Sequence, residues 1–271
     1  MKKLLSRFPF IARVVLALLL GTAAIIASHF IYNAIPGLKI YFPFVAEVLL
    51  IIVTAMFYHA DGQNLSALGL NLSPRNIGFL FLGLIIGVVA LGIAGFLRSI
   101  YTGEQWHVHT NISGIDLLKS LYYILPTVTV QELMFRGYLF TKTISLLGLV
   151  KANIVFAVLF MLMHVLDRDV LQNSTRMIML AIATPVGHLL FATALVRTKT
   201  ILFSIGLHWG NNWAVNHLAG SADNNMTILY TTHLKIYSTW PPFIIMLLIF
   251  NGFFLLVTLA IWKWGRSSLQ N

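Results

Sequence analysis

The chain has no cysteine. That absence removes disulfides, thiolate nucleophiles and cysteine-ligated metal centres at once. Charge is scarce too: 10% of the 271 residues are charged, with 8 acidic against 18 basic. No HExxH helix is present to carry a zinc protease, and no glycine-rich phosphate loop supports nucleotide chemistry. What fills the chain is apolar. Hydrophobic residues make up 58% of it and the mean hydropathy is +0.85, far outside the soluble range. A net charge of +10 then needs no nucleic-acid partner, because lysines and arginines on the cytoplasmic side of a multi-pass membrane protein account for it.

These properties predict an all-α fold: one integral membrane domain over residues 1–271, a bundle of about eight transmembrane helices. The expected spans are Phe8–Tyr32, Ile40–Tyr58, Ile77–Leu97, Ile115 to about Leu147, Ala152–Leu166, Thr175–Val196, Ile201–His217 and Pro242–Trp262. The first apolar run is too long for a signal peptide, and the next follows almost at once. Arg13 is expected to snorkel to the inner interface. Ser73 and Pro74 predict a capped helix start, and the glycines at 78, 83, 87, 92 and 95 predict close helix contact. With the N-terminus inside, twelve of the 18 lysines and arginines lie on the inner side and six on the outer. The expected location is therefore the cell membrane with both termini cytoplasmic. The bilayer and a membrane-associated protein or peptide substrate are the expected partners.

Thr127–Gly137, TVTVQELMFRG, stands out because Gln131, Glu132 and Arg136 follow a long run in which Lys119 is the only charge. Glu132 and Arg136 are four apart and share a helical face. At membrane depth such a pair is either functional or a packing pair at the water interface. Two histidines occur in later apolar segments: His164, in Phe160–His164, and His208, in His208–Asn216, where Asn212 and Asn216 follow at intervals of four. A turn at Gly148–Lys151 sets Glu132 17 residues before Leu149 and His164 15 after it. At the helical rise both lie about 22–26 Å from the turn, so antiparallel helices bring them to one depth provided the first does not break near Gly137. Glu47, His188 and the His107/His109 pair are weaker candidates, read mainly as an interfacial carboxylate, a helix contact and a loop pair.

Taken together, Gln131, Glu132, Arg136 and Gly137, then Phe160 and His164, then His208 and Asn212 resemble the CPBP family of intramembrane proteases. That family includes the type II CAAX prenyl endopeptidases and the bacterial Abi membrane proteins. The resemblance spans about residues 115–217. It implies a glutamate-dependent, metal-free endopeptidase without cofactor, in which His164 helps a glutamate hold water and His208 with Asn212 forms the oxyanion hole. Gln131 departs from the pattern: the family has a first glutamate there, its usual water-activating base.

A water attacking a peptide carbonyl needs a base, and the oxyanion needs a donor. An amide cannot take the proton, so either Glu132 is the base or the activity is lost. The expected catalytic residues are Glu132, His164, His208 and Asn212, supported by Gln131, Arg136 and Phe160, with no metal site. A non-catalytic membrane binding or regulatory protein is the alternative. A transporter lacks support, because no inverted repeat is evident.

Overall fold

The computed structural model describes residues 10–110, 112–218, 227–232 and 240–267. Lys2, Lys3, Arg7 and most of the loop expected over residues 219–239 lie outside them. The helices are α1 (Phe10–Ala34), the single turn α2 (Leu38–Tyr41), α3 (Val45–Ala60), α4 (Pro74–Thr102), α5 (Gly114–Arg136), α6 (Tyr138–Val165), the short α7 (Arg168–Leu171), α8 (Ser174–Thr198), α9 (Ile201–Leu218) and α10 (Trp240–Ser267). Strands β1 (Gln105–Val108) and β2 (Leu229–Thr232) pair antiparallel within stretches expected to be plain loops. The protein is an all-α, multi-pass membrane bundle. Among the described residues, five helical stretches are long and apolar enough to cross a bilayer: Ala12–Ala34, Pro74–Thr102, Gly114–Val165, Ser174–Thr198 and Trp240–Trp264. Its outer surface carries exposed Phe30, Ile85, Val150 and Leu248, as a lipid-facing surface requires.

Local chemistry sets the boundaries. Ser73 accepts a hydrogen bond from the Asn76 amide and Pro74 opens α4, as the sequence predicts. The expected continuous helix from Ile115 to about Leu147 does not form. It breaks at Gly137 (φ −75°, ψ −141°), where the backbone folds so tightly over the Leu133 carbonyl that a Cβ would collide with it. Gly148 (φ 78°, ψ 163°) then reverses the chain inside α6. Rings confirm the reversal: Phe140 meets Phe156 at 5.4 Å and Phe135 meets Phe160 at 5.2 Å between centroids. Phe140 and Phe156 are centred on Gly148, as are Glu132 and His164, and Phe135 and Phe160 lie within half a residue of that centre. These ring contacts hold both sides of Gly137 against the arm after Gly148 despite the break.

Helix α9 is the hub, packed against α4, α5 and α8. Its contact with α4 runs backbone to backbone. A Cβ on Gly206 would strike the Leu80 carbonyl and one on Gly210 the Leu84 carbonyl, while Gly83 and Gly87 meet α9 around Leu207 in the same way. Of the predicted glycine stripe, Gly78 touches nothing and Gly95 faces the Trp106 ring. Two apolar cores result, one around Phe57, Leu133, Phe140, Phe160 and Ile205, the other around Leu91, Phe191, Leu207 and Phe254.

Candidate active site

Four polar contacts pin α9 beside the glycine contact. The Trp209 indole N–H donates to the Leu121 carbonyl of α5 at 2.9 Å, and that of Trp213 donates to Ser120 Oγ at 2.9 Å, which lies 2.7 Å from His217 Nε2. The Ser204 hydroxyl donates to the Phe191 carbonyl of α8 at 2.6 Å. His208 lies between Gly206 and Gly210, so its height and direction are fixed by the tightest packing in the bundle.

His208 Nδ1 is 2.7 Å from Glu132 Oε1, and the same oxygen accepts from Arg136 Nη1 at 3.1 Å. Glu132 and Arg136 are both 0% exposed. An ion pair at that depth persists only because it is partnered; breaking one costs about 3–5 kcal/mol. Arg136 is further covered by rings, its guanidinium 4.2 Å from the Phe160 centroid and 5.3 Å from Phe191. Phe191 also stacks on His208 at 4.5 Å with 14° between the planes. Fixed glutamate, arginine and imidazole thus form one chain.

That chain ends at a cavity of about 280 Å³ where the two cores meet. His164, His208, Asn211, Asn212, Thr184 and Asn251 are its polar lining, and the rest of the wall is apolar. His164 Nδ1 lies 2.8 Å from the Phe160 carbonyl. A carbonyl only accepts, so Nδ1 carries the proton, and in neutral His164 the lone pair is on Nε2. The same reasoning at His208, whose Nδ1 faces a carboxylate, puts a proton on Nδ1 and directs Nε2 away from Glu132. Phe160 therefore serves twice, through its carbonyl under His164 and its ring under Arg136.

The expected convergence is partial. His164, His208 and Asn212 share the cavity wall, whereas Glu132 and Gln131 are absent from it. Glu132 stands behind His208 because its i,i+4 partner Arg136 and the imidazole take the face it presents. Gln131 Oε1 is buried with no partner among the described residues. Asn216 is exposed and does not line the cavity. His188 hydrogen-bonds Asn153 at 3.2 Å and packs edge-on against Phe140, a helix contact. Glu47 is buried in the first turn of α3 and does not reach the site. In the strand pair, His107 lies 2.9 Å from Thr232 Oγ1 and stacks on Tyr230, which His109 also meets at 4.6 Å. Among the described residues no group of three His, Asp or Glu is arranged to hold a metal.

Sequence reasoning missed three features. Asn211 and Asn251 join the wall, and neither has a partner at a telling spacing. Arg13, expected to snorkel, instead bonds Asp61 at 2.6 Å, and Lys142 and the Tyr138 hydroxyl bond the same carboxylate at 2.6 and 3.1 Å. This cluster ties α1, the end of α3 and the short arm after Gly137 together.

Compared with known proteins, residues 113–214 match the family described as type II CAAX prenyl endopeptidase Rce1-like. Neither the curated proteins nor the solved structures give a match. The matched stretch holds α5 to α9 up to Ala214, hence Glu132, Arg136, His164, His208 and Asn212, but not α10.

Proposed function

From the match of residues 113–214 to the Rce1-like type II CAAX prenyl endopeptidase family, we propose that the protein is an intramembrane endopeptidase hydrolysing peptide bonds of membrane-associated proteins or peptides. The observation that carries the reading is the Arg136–Glu132–His208 chain ending at a cavity that also receives His164 and Asn212. Glu132 acts through His208 rather than on water, since its side chain does not line the cavity.

The roles follow from the tautomers. His164, with Nδ1–H on the Phe160 carbonyl, takes a proton from water at Nε2 as the water oxygen attacks the peptide carbonyl carbon. The oxyanion is met by the Asn212 amide N–H and by His208, which Glu132 orients through Nδ1. Collapse breaks the C–N bond, and His164 returns its proton to the leaving amine. Arg136 orients Glu132 through its 3.1 Å hydrogen bond. No metal enters these steps.

Gln131 supports a second reading, a non-catalytic binding protein, because an amide stands where the family carries its base. Comparing membrane and secreted peptides from cells carrying wild type or His164→Ala tests the choice. An endopeptidase predicts peptides that disappear, with uncleaved precursors accumulating. Identical peptide sets would reject it. The cell membrane location with both termini cytoplasmic is part of the same proposal.

A further inference from the structure

Helix α10 lies outside the matched family segment, yet it closes one wall of the cavity. It packs on α8 and α4, and its buried stripe is Phe243, Leu247, Asn251, Phe254 and Ile261. Asn251 is the one amide in that stripe, 5% exposed, in a helix with no charged residue from Trp240 to Trp262. An amide placed there is costly unless its hydrogen-bonding capacity is met. Asn251 does not glue helices together, the usual use of an intramembrane amide. Its Nδ2 donates at 2.8 Å to Leu247, on its own helix. That leaves a second N–H and the carbonyl oxygen without a partner among the described residues, on the cavity wall.

The rest of the wall indicates what those groups meet. Asn211 and Asn212 lie on α9, and no Asp, Glu, Lys or Arg lines the cavity. Beyond His164 and His208, the wall consists of neutral amides, the Thr184 hydroxyl and apolar side chains. It matches an uncharged peptide segment, whose backbone alternates N–H donors and C=O acceptors and whose side chains are apolar. Resting on the endopeptidase reading above, we propose that Asn251 is a substrate-positioning residue that hydrogen-bonds the backbone of an apolar peptide segment lying in the cavity.

The test uses full-length protein in lipid vesicles and has two arms. In the first, Asn251→Leu raises KM for a cleaved apolar peptide by about two- to tenfold, the worth of one neutral hydrogen bond, with kcat within about twofold, and Asn251→Gln recovers part of the KM. A fall in kcat at constant KM, or no change in either, overturns the proposal while leaving the protease reading intact. The second arm needs no turnover. Because the chain has no cysteine, Asn251→Cys carries the sole thiol. An acetylated and amidated hexapeptide of leucine, valine and phenylalanine slows its alkylation by N-ethylmaleimide at least about threefold. The same peptide with a central lysine does not, and lipid-facing Leu248→Cys is unprotected by either. Equal alkylation with and without the apolar peptide overturns the proposal. Protection without cleavage sustains it and removes only the protease reading.

Discussion

Replacing Glu132 and Arg136 singly and together separates what the buried pair does for the fold from what it does for chemistry. Arg136 has one acceptor among the described residues, Glu132, and its Nε and Nη2 already have none. Glu132→Met therefore leaves a fully buried cation with only the Phe160 and Phe191 rings, at a cost of about 3–5 kcal/mol. That is at least about a hundredfold in the folding equilibrium. Arg136→Met is milder, because Glu132 keeps its 2.7 Å hydrogen bond with His208. The double variant Glu132→Met/Arg136→Met removes both charges and is expected to be more stable than Glu132→Met alone, with a coupling of about 2 kcal/mol or more, within the range for contacting residues. The assay is denaturation by SDS in mixed micelles, read from tryptophan fluorescence, alongside peptide cleavage in lipid. Cleavage is expected to stay lost in the double variant although its stability returns. Additive single effects, or an Arg136→Met more damaging than Glu132→Met, would refute the reasoning.

Gly210→Leu forces a side chain into the Leu84 carbonyl at the α4–α9 contact and is expected to cost at least about 1–3 kcal/mol, the scale of overpacking, with a lowered thermal midpoint. Gln131→Glu is expected to raise cleavage if its carboxylate reaches the cavity water, and to leave it unchanged if Gln131 stays behind the wall; a pH–rate profile distinguishes an added base from a packing effect. Reporter fusions at Arg266 and Asn225 are expected to report inside and outside respectively, from the twelve-to-six split of lysine and arginine, and an external signal from Arg266 rejects that orientation.

Depth along a helix is legible in a sequence because the rise per residue is constant. Glu132 and His164 lie sixteen residues either side of Gly148, and counting alone put them at one level. Direction around a helix is not legible in the same way. The count gave no warning that Glu132 turns to Arg136 and His208 and stays off the cavity wall, because that depends on what packs against each face. The break at Gly137 was hidden for a related reason: a lone glycine inside an apolar periodic run reads as helix until its backbone meets the Leu133 carbonyl. The link from Asp61 to Arg13 and Lys142 joins residues 48 and 81 positions apart, and no local spacing announces it. Asn251 was invisible because one amide in an apolar span carries no pattern. His164, His208 and Asn212 stand out in the sequence because their spacings carry both a helical face and a family resemblance, and all three line the cavity.

The most direct measurement of the central claim is cleavage of apolar membrane peptides by purified protein in lipid vesicles, comparing wild type with His164→Gln, His208→Gln and Asn212→Ala after each is shown to be folded. The account predicts that wild type cleaves. Loss of the His164 base lowers kcat by about 10²-fold or more, and each oxyanion variant lowers it by about 10²–10³-fold. A folded wild-type protein inert across broad peptide libraries, or a His164→Gln variant that cleaves as fast as wild type, would contradict it.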